Sequence, residues 1–458
     1  MFRDLPPYAQ TTQNPFWSAP TPSHWSVQPG LAVLQENRHK NDGLIESQVL
    51  SLSYGKVVVK PVEQQRGLVP DSYEGYQILD PGDIVVRPTD LQNDQTSIRV
   101  GHVKDRGIIT SAYIGLRPTG AWGDSYAYLY LTVVDSSKRI YGMGSGLRQQ
   151  LGWSDLKRMP CLVPPAEEQA AIVKYLAHAN TRIDKAIVAK RHLISLLDEL
   201  DRSVENGLAG SLSSMASGGR EISWLGRLPR TWLSAPAKRL FKEVDRRSKT
   251  GREGLLSLRM REGLVDANEF TETPIPPEHL VGYKIVQPGE LVMNRMRAAI
   301  GLFGVAKTTG LVSPDYSTMT VAEGIDPHFY LHLFKTDAAM AEFRRRSNGL
   351  GTGSSGFMRL YYEDFGPIAL PLPPLEEQQR VVRDVNRQYA ETLPVRSRTS
   401  REIALLQEFR TRLVADVVTG QVDVRAIAAT LPDAPQSFDN TFSATDDDLE
   451  EALSEGEE

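Results

Sequence analysis

The stretch Gly75-Tyr-Gln-Ile-Leu-Asp-Pro-Gly-Asp-Ile-Val85 returns 207 residues later as Gly282-Tyr-Lys-Ile-Val-Gln-Pro-Gly-Glu-Leu-Val292. Working outward from this pair, further matches keep the same order. Ser23-His-Trp25 precedes Arg230-Thr-Trp232 by 207 residues, Ser51-Leu52 matches Ser257-Leu258, and Pro164-Pro-Ala-Glu-Glu-Gln169 matches Pro373-Pro-Leu-Glu-Glu-Gln378 at an offset of 209. Collinear matches with so small a drift mark a duplication. The period is far too long for a solenoid, whose repeats run to about 20–50 residues. Each copy is therefore a domain plus a connector.

Within each copy the local pattern changes once. The first part carries short apolar runs between Gly, Pro and Asp. Gln48–Ser53, Lys56–Val62, Asp83–Arg87 and Ala127–Val134 read as strands, and Pro327–Arg346 reads as helix. Asp80-Pro-Gly-Asp83 and Gln287-Pro-Gly-Glu290 are turn chemistry ahead of an apolar strand. Each copy then ends in a long helix. After Pro164-Pro165, Glu167 and Glu168 occupy a first turn, where prolines and acids suit the free N–H groups and the dipole. Ile172, Leu176, Ala179, Ile183, Ala186, Lys190, Leu193, Leu197, Leu200 and Val204 follow at spacings of four and three. That is a heptad seam interrupted by Lys190, on a rod of roughly 60 Å at 1.5 Å per residue.

The second connector opens alike at Pro373-Pro374. Its stripe runs through Val381, Val385, Ile403, Leu406, Leu413 and Val417, with Gly420 suited to end it. Pro394 inside it predicts a kink or break. Two similar rods in one chain suit antiparallel pairing with each other; the alternative is that each rod takes a separate partner. The expected architecture is two mixed α/β domains, residues 1–160 and 216–370. Helical connectors at 161–215 and 371–430 join them, and an acidic tail at 431–458 follows.

The 458 residues hold 52 Lys+Arg against 57 Asp+Glu, a net of −5, which by itself argues against a nucleic-acid binder. The distribution reverses that reading. Residues 431–458 carry ten acids and no base, so residues 1–430 are net +5. The first domain is net +1 and the second net +4. A tail of this composition is expected to be disordered and solubilising; the sharper alternative is a phosphate mimic competing for a basic groove. The N-terminus has no apolar h-region, and no apolar run reaches the ~20 residues of a membrane span. One cysteine, Cys161, allows neither an internal disulfide nor a cysteine cage for a metal. The reducing cytoplasm is the expected location.

Catalytic patterns are missing. Asn14-Pro-Phe-Trp17 approaches the Asn-Pro-Pro-aromatic motif of amino-methyltransferases, but it lacks the second proline and any Gly-rich cofactor turn, so it reads as a loop. Gly349–Gly356 has no following Lys for a P-loop. His328 and His332 lack a third ligand and read as structural. Basic residues instead gather in short clusters, and guanidinium groups suit forked contact to phosphate or guanine. The candidate DNA contacts are Arg38, Lys40, Arg87 and Arg148 in the first domain. In the second they are Arg246, Arg247, Arg259, Arg295, Arg297 and Arg359. Arg87 and Arg295 follow the repeated strands, and Arg148 and Arg359 follow glycine-rich stretches that let backbone approach a duplex.

With these residues in hand, the chain resembles the specificity (S) subunit of type I restriction–modification enzymes, from about Pro22 to Arg425. The resemblance rests on Leu370-Pro-Leu-Pro-Pro-Leu-Glu-Glu-Gln378, its copy Leu162-Val-Pro-Pro-Ala-Glu-Glu-Gln169, and Val417-Val-Thr-Gly-Gln-Val-Asp-Val-Arg425. Trp224-Leu-Gly-Arg-Leu-Pro-Arg-Thr-Trp232 and Pro22-Ser-His-Trp25 add to it. It implies two target recognition domains, each reading half of a split double-stranded DNA site. It implies helical connectors paired as an antiparallel coiled-coil spacer that docks two modification subunits. Glu167, Glu168, Gln169, Ile183, Leu193, Leu197, Glu376, Glu377, Gln378, Leu406 and Leu413 are the docking candidates. The chain itself would be non-catalytic and bind no cofactor. S-adenosylmethionine would sit on the methyltransferase subunits, and ATP and Mg on a restriction subunit where one joins. The alternatives are a methylation-only or other phage-defence complex, and a coiled-coil scaffold that binds protein alone.

Overall fold

The computed structural model describes residues 5–53, 55–60, 72–89, 91, 98–143, 150–214, 220–260, 262–269, 275–349 and 358–433. Arg148 and the acidic tail from residue 434 lie outside the described residues. The chain divides into two compact units: one from the described residues of Met1–Lys190 and Ser400–Glu458, the other from those of Arg191–Thr399. Each expected connector is thus shared between the units rather than standing apart.

In the first unit a six-stranded sheet runs in the order Leu34–Glu36, Ile114–Pro118, Ile84–Val86, Val100–His102, Lys56–Val59, Leu50–Ser53. In the second, Phe241–Val244, Tyr316–Val321, Leu291–Asn294 and Phe303–Val305 form a four-stranded antiparallel sheet. The duplication is kept in register. The bridge Lys40 to Gln77 recurs as Arg247 to Lys284, and the parallel bridge Val49 to Ile108 recurs as Leu255 to Leu311. Strand Ser26–Pro29 pairs Pro160–Val163, as Leu233–Pro236 pairs Ala369–Leu372.

The repeated Pro-Gly turn works by one device in both copies. Asp83 accepts the Asp80 N–H at 2.9 Å, and Glu290 accepts the Gln287 N–H at 2.8 Å. Each buried carboxylate is then matched by an arginine, but from a different segment. Arg117 Nε lies 2.8 Å from Asp83 Oδ1 in the first unit, whereas Arg246 pairs with Glu290 in the second.

Two elements depart from the sequence reading. Ala127–Val134 is not a strand but part of a helix, Asp124–Ser136, and its residues from Tyr126 to Asp135 are all buried. A helix enclosed on every side has no polar face, so its β-rich composition hides the helical period. Pro327–Arg346 is helical but in two pieces, Pro327–Phe334 and Asp337–Arg346, because the Thr336 side chain accepts the Ala339 N–H and starts a new helix.

The two long helices span Ala166–Ser214 and Leu375–Val418, 49 and 44 residues. They run antiparallel within each unit. In the first unit Asp184 pairs with Arg410, and Lys190 Nζ lies 2.5 Å from Glu402 Oε2. In the second, Arg396 Nη2 lies 2.7 Å from Asp198 and 2.8 Å from Asp201, and Tyr389 donates to Glu205. The second helix runs unbroken through Pro394. That residue is exposed, as is Ala390, so water can reach the carbonyl that loses its donor.

The heptad seam buries only in its first part. Ile172, Leu176, Ala179 and Ile183 are buried, whereas Leu197 and Val204 are half-buried and Leu193 and Leu200 are exposed. In the second unit the helix pair joins through Tyr389, Thr392 and Arg396 against acids, so the leucines are not needed at the contact.

Candidate nucleic-acid interface

Most of the candidate arginines are tied to acids of the same chain. Arg38, exposed, lies 3.0 Å from Glu36. Arg246 is spent on Glu290, and Arg247 lies 3.1 Å from Asp245. Arg295 donates from Nε to Ser317 Oγ at 2.9 Å and lies 3.2 Å from Glu243. Burial holds the nearby Lys284 ammonium below its ordinary value, and Arg295 lowers it further by repulsion. Arg87 and Arg259 are half-buried, and Lys40 is exposed. The position of Arg148 lies outside the described residues.

Two arginines outside the candidate set serve the chain's own backbone. Arg99 is fully buried and donates to the Thr89 carbonyl at 2.5 Å and the Tyr141 hydroxyl at 3.1 Å. Arg139 holds the Phe16 and Trp17 carbonyls. Asn14-Pro-Phe-Trp17 itself is a turn, with Asn14 Oδ1 accepting the Phe16 N–H at 3.0 Å.

The outward cationic surface of the second unit centres on Arg297 and Arg359. Arg297 is exposed and forms no ion pair among the described residues. Arg359 lies 3.9 Å from Asp315 and reaches Met296 Sδ at 3.9 Å. The Leu360 N–H donates to the Arg295 carbonyl at 2.9 Å, which sets the two segments side by side. Tyr361, exposed, stands against the Arg295 guanidinium with 5.9 Å between cation and ring centre. Met296 and Tyr361 were absent from the candidates. The signal available was an apolar and an aromatic residue beside arginines, in Arg295-Met-Arg297 and Arg359-Leu-Tyr361.

The docking candidates divide sharply. Glu168, Gln169, Gln378, Ile183 and Leu413 are buried inside the chain. Glu168 accepts the Trp25 indole N–H at 2.5 Å and meets Arg425 at 2.8 Å; Glu377, half-buried, accepts the Trp232 indole N–H at 2.5 Å. Gln169 donates to the Ala121 and Pro164 carbonyls at 2.6 and 2.9 Å and accepts the Gly123 N–H at 3.0 Å. Gln378 does the same with Gly324, Pro373 and the Asp326 N–H at 3.3, 2.9 and 2.8 Å. Glu168, Gln169, Glu377 and Gln378 therefore fasten each long helix to its own domain, a role that the sequence reading did not assign them. Glu167, Glu376 and Leu193 are exposed, and Leu197 and Leu406 are half-buried.

The C-terminal motif closes on the first unit. Gln421 Nε2 donates to the Pro20 carbonyl at 2.8 Å, and the Asp423 N–H donates to the Pro6 carbonyl at 2.8 Å. Burial raises the pKa of the Asp423 carboxyl, but the hydrogen bonds and charge of Arg425 together outweigh it and hold the carboxyl below its ordinary range. Among the described residues, no group of His, Cys, Asp and Glu could hold a metal ion, and no helix is long and apolar enough to cross a membrane.

The fold has solved counterparts. A chain in the structure described as the structural basis underlying complex assembly and conformational transition of the type I R-M system matches with a TM-score of 0.54 at 14% identity, over 88% of this chain and 99% of that one. The HsdS subunit from Thermoanaerobacter tengcongensis matches at TM-score 0.38 and 15% identity, over 88% of this chain and 97% of that one. The type I restriction-modification system S subunit from M. genitalium matches at TM-score 0.32 and 12% identity, over 86% and 96%. No protein-family model and no curated protein matches the sequence.

Proposed function

We propose that this chain is the non-catalytic specificity subunit of a type I restriction–modification complex. Each α/β domain would read one half of a bipartite double-stranded DNA site. The antiparallel helices would fix the half-site separation and dock two methyltransferase subunits. The observation that carries the reading is the in-register duplication: two domains of one fold, each fastened to its long helix by the same Trp–Glu and Gln clamps. The fold likeness to a chain of a type I R-M structure supports it.

Duplicated domains with different outward residues suit two different half-sites. Phosphate contacts set register and base-edge contacts set sequence. A fixed spacer makes a spacing error costly, because one base pair shifts a domain by about 3.4 Å and turns it by about a tenth of a helical turn. Leu193, Leu196 and Leu200, uncovered in this chain, offer the methyltransferase an apolar stripe on the helix. S-adenosylmethionine belongs on those partners, and ATP with Mg on a restriction subunit if the system cleaves.

The test is the adenine methylome of cells with and without this chain, expressed with its methyltransferase. A bipartite methylated site that disappears with the chain is expected; an unchanged methylome overturns the proposal. Exchanging residues 216–370 for another recognition domain should change one half-site, and a change in both would refute independent reading.

A further inference from the structure

In the second unit, the turn between strand Leu291–Asn294 and strand Phe303–Val305 holds two apolar side chains out of the core. Met296 and Ile300 are each 42% exposed, and Tyr361 beside them is 37% exposed. Such apolar surface would gain by burial against a partner.

The turn is built to be rigid. Asn294 is buried, and its Oδ1 accepts the Met296 and Arg297 N–H groups at 3.0 and 3.2 Å. The Arg297 carbonyl accepts the Ile300 and Leu302 N–H groups at 3.1 and 3.2 Å. Ala298 is fully buried beneath it. Gly301 closes the turn at φ +79°, where a Cβ would lie 2.9 Å from the Phe334 carbonyl oxygen. Met296 is thus carried on a fixed platform rather than a mobile loop.

The rim is cationic. Arg297 and Arg359 stand on either side of Met296, and the helix Asp337–Arg346, which ends in Arg344-Arg-Arg346, packs against the Ala298–Ile300 turn. Arg345 and Arg346 are held by Glu342, whereas Arg297 forms no ion pair among the described residues and Arg359 has only a long one, 3.9 Å to Asp315. Apolar side chains framed by such guanidinium groups suit a polyanion that also offers an apolar interior. A base stack is such an interior, and methionine and isoleucine are among the wedges that part base steps.

We propose that Met296 is a wedge that parts one base step in the half-site read by the second domain, with Tyr361 stacking on a base it exposes. Arg297 and Arg359 would hold the flanking phosphates. This rests on the DNA-reading function proposed above and assigns it a specificity-determining residue.

The experiment uses the full chain co-purified with its methyltransferase and a duplex bearing the site returned by the methylome. 2-Aminopurine is placed in turn at each step of the half-site that exchange of residues 216–370 alters. The expected result is a fluorescence rise at one step besides the target adenine. Met296→Ala should cut that rise several-fold at saturating protein, and Met296→Leu should restore it. Arg297→Ala should instead weaken binding while leaving the rise per bound complex unchanged. An undiminished rise with Met296→Ala, or no rise at any such step with the unaltered chain, overturns the wedge while leaving DNA reading intact. A complex that binds no duplex and methylates no site overturns the function, and the wedge with it.

Discussion

Replacing Gln378 by leucine separates a clamp from a docking contact. The side chain is fully buried and makes three hydrogen bonds to backbone, at 2.8 Å from the Asp326 N–H and at 2.9 and 3.3 Å to the Pro373 and Gly324 carbonyls. Leucine keeps most of the volume and removes all three. A typical bond contributes about 0.5–1.5 kcal/mol net, and a buried group left unpaired costs about 1–3 kcal/mol. Gly324 is exposed, so its carbonyl regains water. The Asp326 N–H is half-buried and the Pro373 carbonyl belongs to a buried residue, so the loss is concentrated there. The expected destabilisation is about 2–4 kcal/mol, read as a lower midpoint in urea at unchanged slope. Amide exchange gives the local readout: the Asp326 N–H should exchange faster well before global unfolding. Gln169→Leu should act alike on the Gly123 N–H, because its three bonds are the same set. Unchanged midpoint and exchange, with loss of methyltransferase co-purification, would refute the clamp and restore these residues to the partner interface.

Three further outcomes follow from the same geometry. Arg396→Ala leaves Asp198 and Asp201 facing each other, 35% and 19% exposed, and should cost about 1–3 kcal/mol in urea unfolding; adding Asp201→Asn should recover part of it. Gly420→Ala should cost about 1–3 kcal/mol by the same assay, because φ is +74° and the new Cβ would lie 2.3 Å from Pro22 Cδ. Burial first, and then Lys335 and His328, depress the pKa of His332 from 6.5 to about 4. The unfolded chain then binds the extra proton between those values, so stability should fall as pH drops from about 6.5 to 4 by up to about 3 kcal/mol. His332→Phe should flatten that limb in a pH series of thermal melts, and an unaltered limb would refute its assignment to His332.

The duplication was legible because paired turns and caps need particular residues. The acid after Pro-Gly and the Gln after two prolines serve backbone groups that recur in both copies, and the Trp before the strand that pairs with the end of each copy meets the helix-start Glu. The helix Asp124–Ser136 was not legible, because full burial removed the polar face that marks a helical period. The destination of the Glu-Glu-Gln side chains was hidden for a different reason. Acids and amides in a first helical turn look solvated in sequence, and only the fold shows the Gly123 and Asp326 amides arriving above them. The partners of the arginines were hidden in the same way, since the acids that pair with Arg246 and Arg295 lie 44 and 52 residues away in the chain.

What the two copies share and where they part have one physical logic. Two of the shared groups answer to backbone, the amide across a helix cap and the acid in the Pro-Gly turn, and the third, the indole on the helix-start carboxylate, joins two side chains that both copies keep. Backbone geometry is the same whatever the surface does, so these groups can be kept while the surface changes. The counter-charge to the turn acid already differs, Arg117 on the strand Ile114–Pro118 in one copy and Arg246 beyond the strand Phe241–Val244 in the other. Moving that charge to another segment leaves the turn intact and alters the face beside it. After the turn's strand the copies diverge outright, into Arg87-Pro88 on one side and Arg295-Met-Arg297 on the other. A frame fastened through backbone and a face free to vary allow two domains of one fold to present unlike surfaces. A bipartite, asymmetric DNA site requires that arrangement.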